Sequence, residues 1–215
     1  MDRLKEIFDR QREYMLSLAP IYAKNGFEWH SEFPYPLDSI WGQEGFRLLA
    51  WRFTEEIFEA ADALMHYGSR SKEFHEEMAD AFHFLVELCI ATGLSQSDIY
   101  WSALGLESLR GGDISDGLSY LFAIYESIER PVLRESNPFY QTLRWLAFSM
   151  MKFRQRPWRT DNRPTDIPEQ GKTLVIAFRS FILTCRSYDM TADDLYTAYF
   201  AKSKINDQRT AAQKT

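Results

Sequence analysis

The sequence predicts an all-α protein made of duplicated helical hairpins, and three observations carry that prediction. Apolar residues recur at helical spacing along most of the 215 residues, and the 10 Gly and 8 Pro fall mostly between those stretches. Two stretches fold back on themselves across short polar turns. Finally, one of these hairpins recurs later in the chain. With 45% hydrophobic residues, including 16 Phe, 11 Tyr and 6 Trp, the chain can bury one core or two closely joined halves. It reads as a single domain, residues 1–215.

A first helix over residues 2–19 is marked by Leu4, Phe8, Tyr14, Met15 and Leu18, and it contains Gln11. Residues 24–42 lack periodicity but hold Phe27, Trp29, Phe33, Tyr35 and Trp41 with Pro34 and Pro36. This aromatic loop reads either as a lid over one end of the bundle or as a wall on which a base stacks. The second helix, about 43–66, carries Leu49, Phe53, Ala60 and Leu64. Gly68-Ser69-Arg70-Ser71 turns the chain, and Ser71 caps a third helix that Gly93 ends. Ser95 caps a fourth, which breaks at Gly111-Gly112; a fifth covers 115–130 and stops before Pro131. The sixth runs over about 138–155, followed by a polar loop over 156–170. The seventh and eighth cover about 171–187 and 191–208, with Thr191 as the cap between them and a frayed tail after Arg209.

The second and third helices carry Glu56-x-x-Glu59 and Glu77-x-x-Asp80. The i,i+3 spacing puts each pair on one helix face, about 4.5 Å apart along the axis. Both Glu56/Asp80 and Glu59/Glu77 are centred on Gly68, so an antiparallel hairpin turning there sets these residues opposite one another. With axes about 8–10 Å apart, the four carboxylates form a square that repels itself unless a cation neutralises it. All-oxygen ligation suits Mg²⁺ or Mn²⁺. The competing reading is a plain solvated acidic face.

The repeat separates these readings. At an offset of 96, Ala81-Phe82, Cys89, Leu94-Ser95, Asp98, Ile99 and Tyr100 correspond to Ala177-Phe178, Cys185, Met190-Thr191, Asp194, Leu195 and Tyr196. FRLLAW (46–51) matches LRWLAF (143–148) upstream. This points to an internal duplication of about 43–104 and 140–200. Glu55, Glu56 and Glu59 align with Lys152, Phe153 and Arg156, and Glu77 and Asp80 with Thr173 and Ile176. The core pattern persists while every acid is lost. A merely solvated face would be expected to stay acidic in both copies, so one half reads as a metal site and the other as scaffold.

Other classes fit less well. A net charge of −6 argues against binding a nucleic-acid backbone. No apolar run approaches the ~20 residues of a membrane span, and the charged N-terminus is unlike a signal peptide, so the expectation is a cytoplasmic protein. Cys89 and Cys185 fall in apolar helical stretches and read as core thiols. No Glu-x-x-His occurs, against a di-iron bundle. His83 reads as a core or edge histidine; His30, His66 and His75 lack ligand spacing.

The paired acids resemble those of the all-α nucleoside triphosphate pyrophosphohydrolases, the MazG-like superfamily. Within it the chain is most similar to the dimeric dUTPases and phage dCTPase-dUTPases. That narrower likeness rests on EMADAFHFLVEL (77–88), on the duplicated hairpin with one acidic copy, and on Tyr199-x-x-Lys202-x-x-x-Asn206-x-x-Arg209. The branch continues past the Arg with a Gln and a Gly-Tyr, where this chain reads Thr-Ala-Ala-Gln. The resemblance implies a MazG-like helical bundle and a homodimer. It implies Mg-dependent hydrolysis of a deoxynucleoside triphosphate, with dUTP giving dUMP and pyrophosphate; dCTP, or a modified or purine nucleotide, is the alternative. Glu56, Glu59, Glu77 and Asp80 would be the metal-binding and catalytic residues, Lys202, Asn206 and Arg209 would hold substrate, and Gln11 would contact the base. Read from spacing alone, Lys202, Asn206 and Arg209 share one helix face, suited either to phosphate and sugar or to a solvated helix end. A non-catalytic helical interaction protein is the rival of another class.

Overall fold

In the computed structural model, residues 2–25, 32–103, 115–124, 137–153 and 164–214 are described, and every regular element among them is helical. In chain order these are α1 (Arg3–Lys24), α2 (Ile40–Tyr67), α3 (Lys72–Ala91), α4 (Gln96–Ala103), α5 (Gly117–Ile124), α6 (Pro138–Met150), α7 (Ile167–Ser187) and α8 (Ala192–Lys214). The protein is all-α, a helical bundle.

Two hairpins, α2–α3 and α6–α7, supply the most extensive packing, and α3 lies between α2, α1 and α8. Ser71 caps α3 by accepting from the Phe74 amide, and Gly68 ends α2 at φ +87°. That backbone is open to glycine and strained for most other residues. α3 is largely enclosed from Met78 onward, because apolar partners meet it on several sides. Phe82 stacks on Phe181 (5.5 Å) and meets Phe178 edge-on (5.7 Å), so the core joins the two hairpins through residues that correspond in sequence. Cys89 and Cys185 are both buried free thiols in that core.

The turns that leave α3 and α7 have matching chemistry at the offset of 96. Gly93 and Asp189 both take positive φ (78° and 62°), and the Leu94 and Met190 amides donate to the Cys89 and Cys185 carbonyls at 2.9 and 3.0 Å. Asp98 accepts from the Ser95 hydroxyl and Asp194 from the Thr191 hydroxyl, both at 2.6 Å. Tyr100 Oη then donates to Asp2 (2.8 Å) and Tyr196 Oη to Glu6 (2.7 Å). Both tyrosines thus dock on the start of α1, one turn apart.

Several predicted boundaries shift. α1 continues through Pro20 to Lys24, because Ile21 still reaches the core. α2 starts at Ile40, since Ser39 accepts from the Gly42 amide; the predicted loop is shorter. α7 starts at Ile167, where Asp166 caps it and Pro168 suits the first turn. α6 ends at Met150, five residues short of the expected end. The tail expected to fray after Arg209 is helical to Lys214. Its Ala-Ala-Gln run favours helix, and Thr210 is buried against α1. Of the aromatic loop, Phe33, Tyr35 and Trp41 form a chain of ring contacts, and the Tyr35 amide donates to the Ala91 carbonyl at 2.7 Å. That bond sets the segment against the C-terminal end of α3. Phe27, Trp29, His30, Arg156 and the later parts of the fourth and fifth helices lie outside the described residues.

Candidate functional site

The α2–α3 hairpin turns at Gly68, which sets the register of its acids. Glu56 and Glu59 of α2 and Glu77 of α3 each present a carboxylate oxygen within 4.8 Å of the others. Glu56 and Glu77 are partly shielded while Glu59 faces solvent. Asp80 stands one turn beyond Glu77 and is held by Lys202 of α8, with Nζ 2.5 Å from Oδ2. Among charged neighbours, Asp80 acts most strongly on Glu56, the partner that the register about Gly68 assigns to it.

Like charges packed this closely resist ionisation. Burial, then repulsion from Asp80, Glu59 and Glu77, pushes the Glu56 carboxyl up to about 7, against the opposing pull of Lys202. Glu77 is raised by burial and by Asp80, with Lys202 opposing. Asp80 is raised by burial despite Lys202 and Arg209. Burial lowers the Lys202 ammonium, but the Asp80 hydrogen bond and charge more than offset it. At 4.8 Å, the upper limit of these oxygen separations, two unit charges would repel by about 3–4 kcal/mol at an effective dielectric of 20. The donor set fits a hard divalent cation: all ligands are oxygen, they converge from two rigid helices, and their charge is only partly balanced by one lysine.

Of the predicted substrate residues, Lys202 lies beside the acids, and Arg209 is close enough to lower Asp80. Asn206 is half-buried on the same helix. Gln11 is placed differently from a free base reader. It is 1% exposed, and its carboxamide contacts Glu87 (2.8 Å), His83 (2.6 Å) and Tyr199 (2.7 Å). His83 is indeed a core histidine, stacked on Tyr199 at 4.1 Å. The sequence reading passed over Glu87; its signal was a lone acid in the apolar run FHFLVELCIA.

Of the corresponding positions that are described in the second hairpin, Phe153 and Thr173 serve packing. Phe153 meets Phe46 edge-on at 5.0 Å beneath the Arg47 guanidinium, and the Thr173 hydroxyl donates back to the Glu169 and Gln170 carbonyls.

An all-α bundle that gathers acidic side chains on one hairpin can hold a hard divalent cation. A family model described as dUTPase matches residues 65–213, and the chain belongs to this all-α dUTPase family. The match takes in Glu77, Asp80, Lys202, Asn206 and Arg209; Glu56, Glu59 and Gln11 precede it. The family is one of nucleotide pyrophosphohydrolase enzymes that generally use a divalent metal. No curated protein and no solved structure matched the chain. Among the described residues, no helix is long and apolar enough to cross a membrane.

Proposed function

We propose that this chain hydrolyses dUTP to dUMP and pyrophosphate in a Mg²⁺-dependent reaction, with Mn²⁺ able to substitute and dCTP or another deoxynucleotide as the alternative substrate. The observation that carries this is the convergence of Glu56, Glu59 and Glu77 within 4.8 Å, next to the Asp80–Lys202 pair. Glu56, Glu59, Glu77 and Asp80 would hold the cation, which when bound would supply charge neutralisation for the phosphates and the leaving group and a more acidic water. The chain's own residues do the rest. A carboxylate of the cluster, or neighbouring Glu55 or Glu76, orients the attacking water and takes its proton. Lys202 and Arg209, cations on one face of α8, hold the triphosphate tail; Asn206 between them contacts phosphate or sugar. Gln11 reaches a base only by releasing a bond to Glu87, His83 or Tyr199.

A homodimer and a cytoplasmic location belong to the same proposal. α2 leaves Leu48, Trp51, Phe58 and Met65 exposed on the hairpin that bears the acids, and such a stripe suits a second copy. Light scattering tests the mass. For the reaction, pyrophosphate release is followed over a panel of deoxynucleoside triphosphates, with and without chelator, for the wild type and for Glu56→Ala and Asp80→Ala. Release that is fastest for dUTP, and lost with chelator or either substitution, supports the reading. Release that survives all three overturns it.

A further inference from the structure

With His83 neutral, the hydrogen bonds around Gln11 cannot all be made with its carboxamide as placed. Its oxygen faces both His83 Nδ1 (2.6 Å) and Tyr199 Oη (2.7 Å), and its nitrogen faces Glu87 Oε1 (2.8 Å). His83 Nε2 lies 3.3 Å from the Tyr199 carbonyl, which can only accept, so a bond there needs the proton on Nε2. Tyr199 Oη also lies 3.2 Å from the Ile7 carbonyl, a second acceptor for its single proton. A neutral imidazole then has no proton left for an oxygen at Nδ1. Carboxamide ends are assigned from such counts, since oxygen and nitrogen have the same shape.

Two arrangements satisfy both ring nitrogens of His83; the neutral Nδ1–H tautomer would leave Nε2 bare against the Tyr199 carbonyl. One keeps the amide as placed and makes His83 an imidazolium and Glu87 a carboxylate. It sets two charges, on groups only 5% and 4% exposed, on either side of a neutral amide, with no direct pairing. The other turns the amide. The Gln11 nitrogen then donates to His83 Nδ1 and Tyr199 Oη, Tyr199 donates to Ile7, and Glu87 as a neutral acid donates to the Gln11 oxygen. Every group is satisfied and no charge is buried. The neighbours favour this second arrangement. Burial, with the charges of Lys202 and Arg10, holds His83 down to about 3. Burial pushes Glu87 up to about 7 even with the amide nitrogen turned toward it, and an oxygen there raises it further. The titratable groups facing the network are Arg10 and Tyr14 from α1 and Lys202, Asp207 and Arg209 from α8.

We propose that Glu87 is a positioning residue: a neutral acid that donates to Gln11, orients its carboxamide, and so fixes the His83–Tyr199 stack one turn below Asp80 and Lys202. His83 follows Asp80 by three residues on α3, and Tyr199 precedes Lys202 by three on α8. The network therefore pins the contact between α3 and α8 that carries the Asp80–Lys202 bond. The effect on catalysis rests on the proposed function; the proton placement does not.

The test is a set of spectra on the full chain, followed by kinetics. Infrared difference spectra (wild type minus Glu87→Gln) at pH 6 are expected to show a protonated carboxyl stretch, and ¹⁵N shifts of His83 a neutral ring protonated at Nε2. Glu87→Gln, whose amide can still donate to Gln11, keeps that tautomer; Glu87→Leu scrambles it. In kinetics, Glu87→Leu raises KM for dUTP about fivefold or more with kcat less affected, and Glu87→Gln restores it. A carboxylate band with an imidazolium at pH 6 overturns the proposal, as does an unchanged His83 tautomer in Glu87→Leu. Should Glu87→Leu not fold, the wild-type spectra still decide the proton placement. Absence of turnover with the expected spectra would refute the proposed function alone.

Discussion

Replacing Glu56 by Gln should make the metal-free protein more stable while abolishing its activity. Below about pH 4.5 the Glu56 carboxyl is protonated in both folded and unfolded chains, so it costs nothing. Between there and about 7 the unfolded carboxyl ionises while the folded one resists, and the cost grows to its full value above 7. A shift from 4.5 to about 7 corresponds to about 3 kcal/mol. Discounting about half for solvent screening leaves about 1–2 kcal/mol. For a chain of this size that is a rise in Tm of about 3–6 °C at pH 8. The assay is thermal unfolding of wild type and Glu56→Gln in chelator, at pH 4 and pH 8, repeated at pH 8 with Mg²⁺. The gain should be absent at pH 4, present at pH 8, and reversed by Mg²⁺, which stabilises only the intact acid cluster. A variant less stable than wild type at pH 8 without metal would show that the acids do not repel as described.

Other outcomes follow from the same geometry. Lys202→Met should raise the KM for the nucleotide and lower kcat, a combined loss of about a hundredfold or more in kcat/KM, since a charge-assisted phosphate contact is removed. Phe82→Ala opens a cavity where Phe178, Phe181 and Tyr199 converge on a fully buried ring, and denaturant titration should show a loss of about 3–5 kcal/mol. At the matched turns, Gly93→Ala should destabilise by about 1–2 kcal/mol, because its φ is +78° and the new Cβ meets Pro34 at 3.2 Å. Asp189→Gly should stabilise slightly, by up to about 1 kcal/mol, because its φ is +62°.

Much of this architecture was legible because it is local. Ser71, Ser95 and Thr191 announce helix starts through their own hydroxyls, and Gly68 and Gly93 announce reversals through their backbone freedom. Once the turn at Gly68 is known, helical periodicity alone brings Glu56, Glu59 and Glu77 together. The repeat was equally visible, since Phe82/Phe178 and Tyr100/Tyr196 do corresponding jobs in the two halves. What could not be read was set by contacts distant in sequence. Arg3 bonds Asp116, Asp193 and Ser119, joining α1 to segments more than a hundred residues away, and no spacing rule announces that. Nor does the pattern around Gln11 say that its amide will be enclosed by residues of α3 and α8. The helical tail beyond Arg209 was missed because what holds it is distant in sequence: Thr210 is buried with Tyr14 of α1 bonded to it, and the Lys24 ammonium reaches the Gln213 carbonyl.

Calorimetric titration with Mn²⁺ and no nucleotide, comparing wild type with the Glu59→Gln/Glu77→Gln double variant, probes the acid cluster itself. The wild type should bind the ion and the double variant should not, with both chains equally folded. Equal binding by the two, or none by the wild type, would contradict the reading of these carboxylates as a metal site.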